Sequence, residues 1–197
     1  MKKIFFTVLS AVTIGLLTAQ ANSNVDVQKS KIEWEGKKVT GAHNGVINLQ
    51  SGNLDIKNGD VKGGEFVIDM NSIVCLDIEN SGGNAKFVGH LKNDDFFSVD
   101  KYPTSKIVIT KLVKLKDNDK GLTHNIYANL TIKGITEEIV FPATIKVDAN
   151  GKAAANAEFT VDRTKYNIKY GSSSFFPDIA DKAISNDMYF KVNVVTK

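Results

Sequence analysis

Along most of its length this chain alternates apolar and polar residues with a period of two. Ile126, Ala128, Leu130 and Ile132 stand between Tyr127, Asn129, Thr131 and Lys133. Ile139, Phe141, Ala143, Ile145 and Val147 stand between Val140, Pro142, Thr144 and Lys146, and Met188, Phe190, Val192 and Val194 between Tyr189, Lys191, Asn193 and Val195. Alternate side chains of an extended backbone point to opposite faces, so such segments are strands with one buried and one wet face. Gly/Asn/Asp clusters separate them: QSGN at 50–53, KNGD at 57–60, KDNDKG at 116–121 and DANGK at 148–152. These residues tolerate the positive φ of tight hairpin turns. The KG pair at 133–134 is a weaker signal and predicts a bend or bulge. About eight strands follow, near 25–35, 37–49, 53–58, 61–70, 105–116, 122–134, 137–148 and 153–162, with 187–196 closing the set.

Two segments, 71–104 and 163–186, lack the alternation, and each carries a Phe pair, Phe96-Phe97 and Phe175-Phe176. Residues 82–92 predict a short helix capped by Asn84. Short hairpins between consecutive strands make an antiparallel meander, and closing it into a barrel removes its exposed edges. An eight-stranded barrel is either filled by side chains or holds one small ligand. Ala128, Ala143, Ala153, Ala155 and Ala157 either leave a lumen or accommodate large neighbours, and spacing does not choose between the two.

At the N-terminus, Lys2 and Lys3 precede an apolar run from Ile4 to Leu17, and Ala19-Gln20-Ala21 offers small residues for cleavage after Ala21. This pattern predicts a signal peptide over 1–21, a periplasmic or secreted chain, and one domain over 22–197. The run is shorter than the ~20 residues that span a bilayer. Removing Lys2 and Lys3 from 25 basic residues leaves 23 against 22 acids, so no nucleic-acid partner is expected. Cys75 is the only cysteine; no intramolecular disulfide can form, and a small buried or loop role is expected for it.

Catalytic and metal patterns are weak. His43, His90 and His124 fall in separate segments without a paired spacing, and His90, Asp94 and Asp95 lack the alternate-residue oxygens of a calcium loop. No metal and no cofactor are expected. Asp162, Arg163 and Ser172–Ser174 lie near no histidine that would activate a serine, and there is no G-x-S-x-G elbow. The residues read as a binding module, not an enzyme.

Five ordered phrases resemble the YceI-like family of bacterial secreted proteins: WEGKKVTGAHNGVI at 34–47, GGEFVIDMNSI at 63–73, GHLKNDDFFSVDKYPTS at 89–105, NLTIKGITEEIVFP at 129–142 and FTVDRTKYNIKYG at 159–171. The resemblance implies an all-β fold, a single antiparallel eight-stranded lipocalin-like barrel with an elongated apolar cavity and one or two short helices in loops. It implies an isoprenoid lipid, a polyprenyl chain or isoprenoid quinone, held for transport, storage or sequestration. The alternatives are an accessory factor in redox or stress physiology with a membrane partner, and a hydrolase using the serine run. Transient contact with a membrane or membrane protein, and a homodimer, are compatible with it.

Alternation and family position together nominate Trp34, Ile47, Phe66, Ile68, Met70, Phe141, Phe159 and Ile168 for the lumen. Phe87, Phe96, Phe97, Phe175 and Phe176 are expected at its mouth, with His90, Lys92, Asp94 and Asp95 at the wet edge. His43 and Arg163 are candidates for a polar head, with an ion pair of Arg163 to Asp162 or Asp69 as the structural alternative. The chain departs from the family pattern at Asn167, where Gly is usual, and in the loosely matched FPDIADKAI.

Overall fold

The structure, a computed structural model, describes residues 20–116 and 118–197. The expected leader, 1–21, lies outside the described residues except for its last two. Nine strands follow in order: β1 (Gln20–Asn24), β2 (Lys31–Lys38), β3 (Gly41–Lys57), β4 (Asp60–Cys75), β5 (Thr104–Lys114), β6 (His124–Ile132), β7 (Ile135–Val147), β8 (Ala153–Asp162) and β9 (Ile184–Val195). Every pairing is antiparallel. The ring runs β3-β2-β9-β8-β7-β6-β5-β4, and β4 pairs back with β3, so eight strands close a barrel. β1 lies outside the ring's count, alongside residues 53–57 of β3.

The period-two reading holds best in β6 and β7. Ile126, Ala128, Leu130 and Ile132 are buried, as are Phe141, Ala143 and Ile145 on the paired strand, in the register Ile126↔Phe141. Closure satisfies the edge hydrogen bonds that an open sheet would expose.

The sequence misassigns three local features. The expected break at QSGN is absent, because β3 runs through it with a register shift between Leu49 and Ser51. Gly52 allows close approach there: a Cβ on it would lie 2.8 Å from the Phe66 ring and 3.1 Å from Val25. The KG pair is a true hairpin turn between β6 and β7, since Lys133 (φ 50) and Gly134 (φ 73) are both left-handed. The predicted helix exists as α1 (Ser81–Lys92), but Asn80 caps it, accepting from the Gly83 N–H at 2.8 Å. Asn84 instead donates to the carbonyls of Cys75 and Ile78, tying the helix start to the end of β4.

Strand direction gathers the irregular segments at one end of the barrel. The β2–β3 turn, α1 with residues 93–103, the β6–β7 turn and the β8–β9 connection all lie there. That connection contains two short 3-10 segments, Arg163–Tyr166 and Pro177–Lys182. The other end carries the Asn58-Gly59 turn, the loop 115–123 and the turn 148–152.

Candidate functional site

The barrel encloses a cavity of about 400 Å³, within the range of about 300–1,000 Å³ typical of ligand pockets. Of the residues nominated from sequence, Trp34, His43, Ile47, Phe66, Ile68, Met70, Phe87, Phe96, Phe97, Phe141, Phe159 and Arg163 line it. Ala143, Ala155 and Ala157 line it too, so small side chains on β7 and β8 leave room between strands. Sequence reasoning missed Ile107, Ile109, Leu130, Ile145, Met188, Phe190 and Val192, which also line the bore. The alternation puts Leu130, Ile145, Met188, Phe190 and Val192 on the apolar face of their strands; it does not show that this face borders a cavity.

The lining is graded. Phe141 stacks on Phe159 at 4.3 Å, and Phe159 meets Phe190 at 5.8 Å, an aromatic wall across β7, β8 and β9. Most polar residues of the lining, Glu35, Lys37, Lys38, His43, Ser105, Arg163, Ser185 and Asp187, lie toward the end that carries the irregular segments, and Asn156 lies toward the other. The bore is therefore apolar along its depth and polar chiefly at one rim.

Three nominated residues do not line the cavity. Ile168 is fully buried, but in the packing beneath the 163–171 segment, where its carbonyl accepts from Arg163. Phe175 and Phe176 are 44% and 51% exposed. The turn that follows Ser172, whose carbonyl accepts from both of their N–H groups, carries them outward, and Lys169 Nζ lies 4.8 Å from the Phe175 ring centre. Phe96 and Phe97, in contrast, follow α1 and fold over the bore, with Phe96 buried and Phe97 half-buried. Phe96 lies in a cluster with His90, Tyr170 and Phe97. The acidic Asp94 and Asp95 stay exposed, as expected of the wet edge.

Arg163 pairs with neither expected acid. Asp162 caps the 3-10 turn through Thr164, and Asp69 accepts from the Asn71 N–H. The Arg163 guanidinium, 1% exposed, instead donates to the carbonyls of Ser185 (2.9 Å), Ile168 (2.8 Å) and Ile184 (3.1 Å) and lies 5.8 Å from the Phe96 ring centre. Burial pulls its pKa down, with Asp162 opposing. A guanidinium has five N–H donors, so three tie the mouth segment together and two remain. Asn167 ends the turn at φ 58, ψ 31. Asn tolerates that left-handed conformation nearly as Gly does, which accounts for the departure from the family pattern.

The sequence hid one more arrangement. The register Gly45↔Cys75 sets His43 across from Asp77, and His43 Nδ1 lies 2.7 Å from Asp77 Oδ2. Asp77 Oδ1 accepts from the Asn44 N–H (2.9 Å) and the Cys75 thiol (3.3 Å). Burial opposes ionisation of Asp77, but the bonds from Asn44, His43 and Cys75 outweigh it and hold the carboxyl at about 2. Burial, together with the carboxylate, pushes the Cys75 thiol up. Its partner is Asp77 and not His43, so this is no activated nucleophile.

Residues 24–196 match the family model of the YceI-like domain. No curated protein matches in sequence. Among solved structures, BcnA of Burkholderia cenocepacia is similar at 18% identity and a TM-score of 0.68, over 88% of this chain and 99% of that one. A polyisoprenoid-binding domain of Saccharophagus degradans, implicated in plant cell wall breakdown, aligns at 14% identity and a TM-score of 0.62, over 91% and 99%. The YCEI protein of Campylobacter jejuni aligns at 16% identity and a TM-score of 0.51, over 100% and 93%. These likenesses bear on the fold; the match over 24–196 makes this chain a member of the YceI-like domain family.

Proposed function

We propose that this chain is a non-catalytic carrier or sequestering protein that holds an isoprenoid lipid, a polyprenyl chain or isoprenoid quinone, in its barrel. The observation that carries this is the graded cavity: an apolar bore with most of its polar lining residues toward one rim. Each buried CH₂ contributes about 0.8 kcal/mol, so a chain of several isoprene units binds firmly without covalent chemistry. A single polar rim suits an amphiphile whose tail enters first and whose head stays near His43 and Arg163. The polyisoprenoid-binding domain of Saccharophagus degradans, which shares the fold, supports the same ligand class.

The N-terminal pattern supports a periplasmic or secreted carrier, one that would load from and deliver to a membrane. Organic extraction of the purified protein followed by mass spectrometry tests the reading. A prenyl lipid in stoichiometric amount is expected. An empty barrel that takes up no prenyl lipid on incubation contradicts it.

A further inference from the structure

Besides the bore, one cluster among the described residues concentrates metal-ligating chemistry. A ring nitrogen of His43, Cys75 Sγ and an Asp77 oxygen lie within 4.8 Å of one another. They come from the start of β3, the end of β4 and the link to α1. We infer that His43, Cys75 and Asp77 form a zinc site in the barrel wall, with His43 shared between that site and the rim of the bore.

The donor set selects the ion. Thiolate, imidazole and carboxylate together suit a borderline ion, while calcium and magnesium take oxygens alone. Zinc binds sulfur at about 2.3 Å and nitrogen or oxygen at about 2.0–2.2 Å, and accepts three protein ligands with a fourth position left to water. Tetrahedral ligands then stand roughly 3.3–3.7 Å apart. His43 and Cys75 contact the two different oxygens of Asp77, at 2.7 and 3.3 Å, and the three ligand atoms lie within 4.8 Å of one another, so side-chain adjustments of about an ångström bring them to that spacing.

Loading balances in charge and protons. The Cys75 thiol releases its proton to solvent and its sulfur becomes a ligand. His43 binds as the neutral imidazole through a ring nitrogen that carries no proton. One thiolate and one carboxylate then neutralise the dication, which removes the cost of an unpaired charge beside the core.

The surroundings hold the ligands in place as outer groups do at metal centres. The Asn44 N–H donates to Asp77, Asn84 donates to the carbonyls of Cys75 and Ile78, and the Phe87 ring lies 4.5 Å from the His43 ring. Cys75 is 3% exposed, which shields the sulfur from bulk solvent. Cys75 and Asp77 do not line the bore, so changing them tests the metal without emptying the cavity.

The test uses the reduced, chelator-stripped full chain titrated with Co²⁺ and then Zn²⁺. One equivalent of Co²⁺ should produce a near-ultraviolet thiolate-to-cobalt charge-transfer band that one equivalent of Zn²⁺ abolishes. Cys75→Ser should lose the band and bind Zn²⁺ at least about a hundredfold more weakly in competition with a chromogenic chelator. Loss of an outer group alone costs about 10–100-fold, and a ligand costs no less. No band at stoichiometric Co²⁺ in the wild-type chain overturns the site, whether or not the variant folds. Equal zinc affinity in wild type and Cys75→Ser overturns it as well.

Discussion

The indole of Trp34 covers Gly45, its partner across β2 and β3: a Cβ built on Gly45 would lie 2.5 Å from Trp34 Cζ2. The same Cβ would lie 1.8 Å from the Val74 carbonyl oxygen. Trp34 also lines the bore and donates from Nε1 to the Val46 carbonyl at 3.3 Å. The absence of a side chain at Gly45 therefore sets both the β3–β4 approach and the position of an aromatic wall residue. Gly45→Ala is expected to destabilise the fold by about 3 kcal/mol, since backbone cannot yield as a flexible side chain can. Urea unfolding followed by circular dichroism reads this as a lowered midpoint; an unchanged midpoint contradicts it.

Phe96 and Phe97 both line the cavity, but they differ in burial. Phe97→Ala should cost roughly 1 kcal/mol of stability and shorten lipid retention several-fold. Phe96→Ala removes a buried ring from the His90, Tyr170 and Arg163 cluster and should cost about 3 kcal/mol as well as retention. Paired melting curves and lipid off-rates check the contrast. Loss of stability without change in off-rate for Phe97→Ala would make that ring a plug and not a wall.

Arg163→Lys keeps the charge and removes the planar fork that reaches three carbonyls. A loss of about 3 kcal/mol is expected from carbonyls left without donors in a buried site. Hydrogen exchange should quicken first in the segment from Ile168 to Ser185, because that is what the guanidinium joins. Uniform quickening across the barrel would contradict this local role.

Asp77 links stability to acid. Its carboxyl titrates near 2 in the folded chain against an ordinary 3.8, so its contribution is complete above pH 3.8 and fades as pH falls to about 2. With the side chain 28% accessible, solvent screening reduces this to about 1 kcal/mol. Asp77→Asn should be less stable than wild type by that amount at pH 7, with the gap closing below pH 3. A gap independent of pH would assign the effect to shape and not charge.

How far the fold could be read from sequence depended on which information each element used. The paired alternations of β6 and β7 needed only local pattern, and their buried faces emerged as expected. QSGN carries turn residues, yet Gly52 serves the approach of Phe66 and Val25, a contact no local pattern encodes. His43 and Asp77 stand 34 residues apart and meet only through the β3–β4 register, so their juxtaposition with Cys75 was invisible before the sheet was known. For Arg163 the sequence offers a headgroup contact or an ion pair with Asp162 or Asp69; its partners are backbone carbonyls, which sequence does not display. Phe175 and Phe176 resembled the other Phe pair in composition, and a turn at Ser172 sends them the other way.

The most direct test uses Trp34, the sole tryptophan, as a reporter inside the bore. Lipid-stripped protein is titrated with an isoprenoid quinone carrying a tail of several isoprene units, and in parallel with the same quinone without a tail. The account predicts saturable, one-to-one quenching of Trp34 by the tailed quinone and no saturable response to the tailless one. Equal responses to both, or none to either, would contradict a bore that receives an isoprenoid tail.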